Sequence, residues 1–316
     1  FVLRTLAISD RSAEMDSGNV FKGLFYGGFA SCVAETITMP VDVVKTRLQM
    51  DGAGGGTKMY NGTMDCATKL VKAEGPSALF KGLPPALVRQ STYGSLRYGL
   101  YGPIRDMMGV APGTPKHEIP LYKKLAAGGG AGAIASAIAN PTDLVKVRLQ
   151  TDGQMKGADG EFLPKRYTSM VHAFTTIVKE EGVLGLWKGV GPTCGRATAL
   201  AAAELATYDE VKTRFLLYGI FKEGLMLTLA TAFISGFVST VASSPFDVVK
   251  SRVMGQPLKP DGSPTLYTGM VDCFVKSSQK EGVMSLYNGF WPNFGRVVPR
   301  VTIVFLVMEQ LKKNFG

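Results

Sequence analysis

The chain has 316 residues, 46% of them hydrophobic and only 19% charged, with 35 Lys and Arg against 25 Asp and Glu. That much apolar material without a Gly-X-Y period excludes a disordered or collagen-like chain, and the charged share lies below the roughly 25% of soluble domains. Four scattered cysteines (Cys32, Cys66, Cys194, Cys273) with no C-x-x-C, and two distant histidines (His117, His172), argue against a disulfide scaffold or a zinc site, so no metal is expected.

Length alone suggests about two domains, but the internal spacing divides the chain into three units. Residues 1–19 read as an N-terminal extension without a secretory signal, and Met15-Asp16-Ser17 is the expected initiation point. The first unit, 20–111, begins with a long helix expected over 20–49 that carries Pro40-Val41-Asp42-Val43-Val44-Lys45-Thr46-Arg47. A polar stretch with a short helix follows over 51–80, then a second long helix over 83–107. The second unit, 112–219, repeats the plan, with helices over 120–150 and 190–217 around a polar stretch at 151–187. Its first helix carries Pro141-Thr142-Asp143-Leu144-Val145-Lys146-Val147-Arg148. The third unit, 220–316, has helices over 222–253 and 290–313 around 255–287, and carries Pro245-Phe246-Asp247-Val248-Val249-Lys250-Ser251-Arg252.

One P-x-D-x-x-K-x-R is weak evidence, but three copies spaced 101 and 104 residues apart are strong. Glu74-Gly75, Glu181-Gly182 and Glu281-Gly282 keep the period. So do Phe80-Lys81-Gly82, Trp187-Lys188-Gly189 and Tyr287-Asn288-Gly289, and the earlier Tyr60-Asn61-Gly62, Tyr167-Thr168-Ser169 and Tyr267-Thr268-Gly269. The fold class expected is an all-α membrane protein of six transmembrane helices in three pseudo-symmetric repeats, with short amphipathic helices at one face. Apolar parts such as Leu225 to Ser244 are long enough for about 30 Å of hydrocarbon, and an even number of spans puts both termini on one side. Gly27 and Ser31, Gly128 and Gly132, and Ala232 and Gly236 are small residues that would let helices approach closely.

The charged residues inside the spans fall into layers. Kinks at Pro40, Pro141 and Pro245 would gather Asp42, Asp143, Asp247, Lys45, Lys146 and Lys250 at one end of a three-fold bundle, each Asp pairing with the Lys of a neighbouring helix. Twenty residues beyond Gly82, Gly189 and Gly289 stand Gly102, Asp209 and Glu309, and three further on stand Arg105, Lys212 and Lys312. At 1.5 Å per residue these lie about 30 Å away, so a second ring with one acid missing is expected at the opposite end. Two rings of which one need be closed at a time suit alternating access.

Between the rings, Arg89, Arg196 and Arg296 occupy one depth, seven residues after each glycine. Buried guanidinium groups need water or a partner, and their fork fits carboxylate or phosphate. Symmetry breaks four residues on, at Tyr93, Leu200 and Arg300, and again at Arg97, Glu204 and Val304. These are the positions where a non-symmetric ligand would be read. Glu35, five residues before Pro40, and Glu204 add carboxylates to the same zone, free to titrate or to pair with Arg. The substrate-binding set is therefore Arg89, Tyr93, Arg97, Arg196, Glu204, Arg296, Arg300 and Glu35.

These triplicate elements resemble the mitochondrial carrier family over essentially all of residues 20–316. The resemblance implies a monomeric, six-helix carrier of the mitochondrial inner membrane with both termini toward the intermembrane space. It makes the Asp/Lys set a matrix gate braced by Gln49 and Gln150, with Met254 departing from the brace. Arg105, Asp209, Lys212, Glu309 and Lys312 become a cytoplasmic gate, weakened at Gly102 and Met308. Gly62, Gly82, Ser169, Gly189, Gly269 and Gly289 become cardiolipin sites, with Ser169 and Asn288 departing from the common pattern. Within the family, Arg89, Tyr93, Arg97, Arg196 and Arg296 resemble the dicarboxylate, oxoglutarate and uncoupling-protein branch, and the acids Glu35 and Glu204 resemble the uncoupling proteins.

The function expected is an uncoupling-protein-like transporter of small carboxylates, fatty-acid anions or protons, sensitive to purine nucleotides. The alternative is a strict dicarboxylate or 2-oxoglutarate exchanger without proton leak. A basic pI of about 9.4 also allows a soluble nucleic-acid binder, but six apolar spans argue against that partner. Neither G-x-S-x-G, Walker A nor H-E-x-x-H occurs, and Gly52-Ala53-Gly54-Gly55-Gly56 and Gly128-Gly129-Gly130 lack the Lys of a phosphate loop. An enzyme and a cofactor are therefore not expected.

Overall fold

The computed structural model describes residues 17–56, 58–110, 121–154, 164–219, 225–257 and 264–315. Among them are nine α-helices and no strand: α1 (Ser17–Met50), α2 (Thr63–Glu74), α3 (Leu83–Met107), α4 (Leu121–Thr151), α5 (Met170–Glu181), α6 (Val190–Leu217), α7 (Leu225–Gly255), α8 (Met270–Glu281) and α9 (Phe290–Phe315). Short 3-10 turns (Pro76–Phe80, Val183–Trp187, Val283–Tyr287) join each short helix to the long helix after it. The long helices keep the sequence boundaries to within a few residues. The extension at 1–16 lies outside the described residues.

The six long helices form a closed ring in which α1 touches α3, α3 packs along α4, α4 touches α6, α6 packs along α7, and α7 and α1 flank α9. The three motif helices α1, α4 and α7 also meet one another. Around the motif lies a separate apolar cluster for each repeat. Met39, Val43, Leu70 and Ala86 form one, Leu144, Val145, Ile177, Leu186 and Met254 the second, and Val249, Val253, Tyr267 and Leu286 the third. Each ties a motif helix to its short helix, so the core sits at the motif end.

Sequence dictates how each partner helix (α3, α6 or α9) enters the bundle. A proline stands three residues after each of Gly82, Gly189 and Gly289 (Pro85, Pro192, Pro292), in the first helical turn where its missing N–H breaks no bond. The glycines have φ of 79°, 89° and 78°, a region side chains avoid. They also lie against the neighbouring motif helix. A Cβ on Gly82 would stand 3.1 Å from the Lys146 carbonyl, one on Gly289 3.0 Å from the Lys45 carbonyl, and one on Gly189 2.6 Å from Met254.

The close-packed stripes differ from the sequence expectation. A Cβ on Gly27, Gly128 or Gly236 would meet nothing within 4 Å, and one on Gly132 would meet only the Tyr93 hydroxyl, at 3.8 Å. The buried stripes run one step round each helix, through Ala30, Ala34 and Thr38, through Ala127, Ala131, Ala135 and Ala139, and through Thr231, Ser235, Ser239 and Ser243. The four-residue spacing of small side chains is right, but the neighbouring face carries it. The side chain of Ala232 lies outside those described.

No helix among the described residues is long and apolar enough to cross a membrane by its mean hydropathy. The reason lies in how polarity is arranged. Buried positions of the motif helices hold Glu35, Asp42, Asn140, Asp143, Ser239 and Asp247, while exposed positions hold Phe29, Ile37, Ile134, Ile138, Phe233 and Phe237. Averaging along such a helix cancels the two faces.

Substituting Gly289→Ala should destabilise the protein by at least about 1–2 kcal/mol, the cost of a left-handed side chain, and more from the contact with α1. Gly295→Ala, in a helical position with open space around it, should be neutral or raise Tm. Thermal unfolding of the purified protein in detergent checks both.

Candidate functional site

The proline motif places an acid and a base three residues apart, on neighbouring parts of one helix face. Where α1, α4 and α7 converge, these charges close a ring. Lys45 Nζ lies 3.1 Å from Asp247 Oδ2, Lys146 Nζ 2.6 Å from Asp42 Oδ2, and Lys250 Nζ 2.8 Å from Asp143 Oδ2. Below it, Gln150 accepts from Thr46 at 2.8 Å and donates to Asp42 at 3.3 Å, and Gln49 accepts from Ser251 at 2.6 Å. At the third joint the same two positions are Val147 and Met254, both in the apolar cluster around α5.

The arginines of the partner helices lie on this ring and do not form a separate layer. Arg89 pairs with Asp143, Arg196 with Asp247 and Arg296 with Asp42. The depth read from sequence placed them between the two rings as a cationic cluster and named no partner for them. Because each partner helix packs along the following motif helix, its guanidinium reaches that helix's Asp. Three carboxylates thus meet six cations, leaving an excess of positive charge that favours anions.

The asymmetric residues gather on one side. Glu35 accepts from Lys146 at 2.9 Å and lies 3.5 Å from Arg300, which donates to Gln90 at 3.1 Å. Lys146 therefore serves two carboxylates, Asp42 and Glu35. Ser136 and Thr240 occupy the position of Glu35 in the other repeats. The Arg89 guanidinium lies 5.3 Å from the centroid of the Tyr93 ring, a cation–π contact. The side chains of Arg97 and Glu204 lie outside those described.

At the far ends of the partner helices, Arg105 turns to its neighbour Asp106 at 2.9 Å, and Lys212 and Glu309 are exposed. Asp209 and Lys312 have side chains outside those described. Among the described residues no ion pair joins these helices there, in contrast to the motif end.

Sequence reading missed a third layer. The last arginine of each motif reaches the Glu of its own E-G pair: Arg47 to Glu74 at 2.7 Å, Arg148 to Glu181 with both forks, and Arg252 to Glu281 at 2.6 Å. The same arginines donate through Nε to the carbonyls of Gln150, Met254 and Gln49 on the next motif helix, at 3.0, 3.2 and 3.1 Å. The triplicate spacing of motif Arg and E-G Glu was the signal that could have paired them. Asn293 was also missed. It donates to Asp247 at 3.1 Å and has no counterpart at Ala86 or Thr193, so no repeat pointed to it.

Gly62, Gly82, Ser169, Gly189 and Gly269 each precede the first residue of a helix as its N-cap, and Gly289 stands just before α9. Only Ser169 caps its helix with its own oxygen, accepting from the His172 N–H at 3.2 Å. Amide groups at such termini suit phosphate.

Comparison with known proteins settles the family. The profile described as mitochondrial carrier protein matches residues 16–110, 117–219 and 222–316. The chain belongs to the mitochondrial carrier family. It is 41% identical over 292 residues to mitochondrial uncoupling protein 2 of Arabidopsis thaliana, covering 91% of each chain. It is 40% identical to mitochondrial uncoupling protein 1 of the same plant, covering 90% of each. With mitochondrial substrate carrier family protein ucpB of Dictyostelium discoideum it shares 38% identity, covering 92% of this chain and 95% of that one. These relatives support the uncoupling-protein-like reading and not the strict dicarboxylate exchanger.

Burial pushes the Glu74 carboxyl up, but Lys81 and Arg47 outweigh it and hold it below the ordinary glutamate range. Glu181 behaves likewise, burial being outweighed by Arg148 and Lys188. A depressed folded pKa contributes stability that is fully present above the unfolded value of about 4.3 and is lost as pH falls through the folded value. Tm should therefore be insensitive to these groups from pH 7 to about 5 and fall below about pH 4. Glu181→Gln should cost about 3–5 kcal/mol at pH 7, because it strands buried Arg148, and should make the acid fall shallower. Tm against pH for both proteins checks this.

Proposed function

We propose that this carrier spans the mitochondrial inner membrane six times and moves small anions by alternating access. Its solutes would be small carboxylates, fatty-acid anions or protons, with purine nucleotides as inhibitors. The observation that carries the reading is the charge layout: a paired ring at one end with an excess of guanidinium and ammonium groups beside it. A pocket of this kind takes an anion from one side while the other is shut. The Asp/Lys set with Gln49 and Gln150 is the matrix gate. Arg105, Asp209, Lys212, Glu309 and Lys312 form the cytoplasmic gate. The solute set is Arg89, Tyr93, Arg97, Arg196, Glu204, Arg296, Arg300 and Glu35.

A membrane setting is supported by the exposed apolar rows on α1, α4 and α7 and by helix length. The shortest long helix, α3, has 25 residues, and at 1.5 Å per residue it exceeds about 30 Å. Six spans would put both termini on one side, which the family resemblance makes the intermembrane-space side. The helix starts at Gly62, Gly82, Ser169, Gly189, Gly269 and Gly289 are the places where cardiolipin phosphate would bind. The repeat units are taken as 20–111, 112–219 and 220–316, acting together as a monomer.

Purified protein in liposomes should pass protons when fatty acid is added, and GTP should block the flux. Arg296→Leu should weaken the nucleotide block by at least about tenfold, the scale of one charge-assisted bond. Malate or oxoglutarate exchange without any fatty-acid-dependent flux would overturn the reading.

A further inference from the structure

The three repeats are an internal control on the ring, because each joint has the same positions filled by different residues. The α1–α4 joint has Lys146–Asp42, the Gln150 bonds to Asp42 and Thr46, and the Gln154 Nε2 bond to the Arg47 carbonyl at 2.7 Å. The α1–α7 joint has Lys45–Asp247, the Gln49–Ser251 bond, and Asn293 as a further donor to Asp247. At the α4–α7 joint stand Lys250–Asp143 and the Arg148 bond to the Met254 carbonyl, with Val147 and Met254 where the others have a hydroxyl and a glutamine. Asp42 and Asp247 each accept a neutral amide beside two cations. Among the described residues Asp143 pairs only with its two cations, Lys250 and Arg89.

We infer that the ring is graded: the α4–α7 joint parts before the other two, and Asn293 is a positioning residue that holds the α1–α7 joint closed. An ion pair in partly polar surroundings is weakened by entering water, and a neutral donor beside it slows that entry. The Arg148 bond to the Met254 carbonyl has counterparts at the other two joints, but the Val147 and Met254 side chains beneath Lys250–Asp143 add contact and no hydrogen bond of their own. This rests on the reading of the ring as a gate.

Thr46, Val147 and Ser251 are the equivalent positions of the three joints, exposed by 5, 8 and 6% in the closed form. Single cysteines there, in a protein with Cys32→Ser and Cys194→Ser, should differ in maleimide labelling only as the joints open. Val147→Cys should label roughly 2–10-fold faster than Thr46→Cys or Ser251→Cys, the population shift that one net hydrogen bond supports. Losing the hydroxyl at 46 or 251 loosens those joints, so the bias runs against the expected result. Asn293→Ala should speed labelling at Ser251→Cys and leave Thr46→Cys unchanged.

As a second route, Val147→Thr with Met254→Gln should install the missing brace and raise Tm in detergent. Glutamine at 254 would lie under Gly189 as Gln150 lies under Gly82 and Gln49 under Gly289. Equal labelling rates, or the fastest rate at 46 or 251, overturn the grading, and an unchanged Ser251→Cys rate in Asn293→Ala overturns the role of Asn293. Labelling needs no solute. Equal rates with intact proton flux therefore count against the grading alone, and unequal rates without flux count against the transport reading alone.

Discussion

Asp42, Asp143 and Asp247 are each about one-twentieth exposed, and a buried carboxylate is tolerated only where cations and hydrogen-bond donors replace its water. Much of the motif end follows from that demand. It brings a Lys across from the neighbouring motif helix and an Arg across from the partner helix. To seat that Arg, the partner helix must run hard against the motif helix from its first turn. Gly82, Gly189 and Gly289 provide the close approach, and a side chain there would press on a carbonyl at Gly82 and Gly289 and on the Met254 side chain at Gly189.

On the proposed reading, the same demand would tie solute to gate. Arg89, Arg196 and Arg296 are the groups best suited to grip an anion, and each already grips an Asp of the ring. An anion that captures one of them withdraws a cation from a ring carboxylate and weakens the closure it sits beside. Glu35 adds an internal competitor, since it holds Lys146 and lies near Arg300. On the proposed reading, binding and unlocking would then draw on one set of charges.

Most of the fold was legible because the chain states it three times. Proline motif, E-G pair and aromatic-x-Gly step each recur at one period, and their helices appear within a few residues of the sequence boundaries. The ring's members were legible for the same reason. What one strand of sequence hides is which helix lies next to which. The reach of Arg89 to Asp143 crosses from one repeat to the next, so spacing gave its depth and not its partner. Asn293 left no trace, since its neighbours in register are Ala86 and Thr193. The stripe of close contact was assigned one face away, because glycine draws the eye where alanine and serine do the packing.

Arg47, Arg148 and Arg252 each hold two unlike partners: a glutamate on the short helix of their own repeat, and a backbone carbonyl on the next motif helix. The first is a charged grip within a unit, the second a single neutral bond between units. If the three units part as the proposed alternating access requires, the single neutral bond would yield before the charged pair. Each amphipathic helix would then travel with its own long helix as one stiff arm, and the seams between arms would be where the molecule bends.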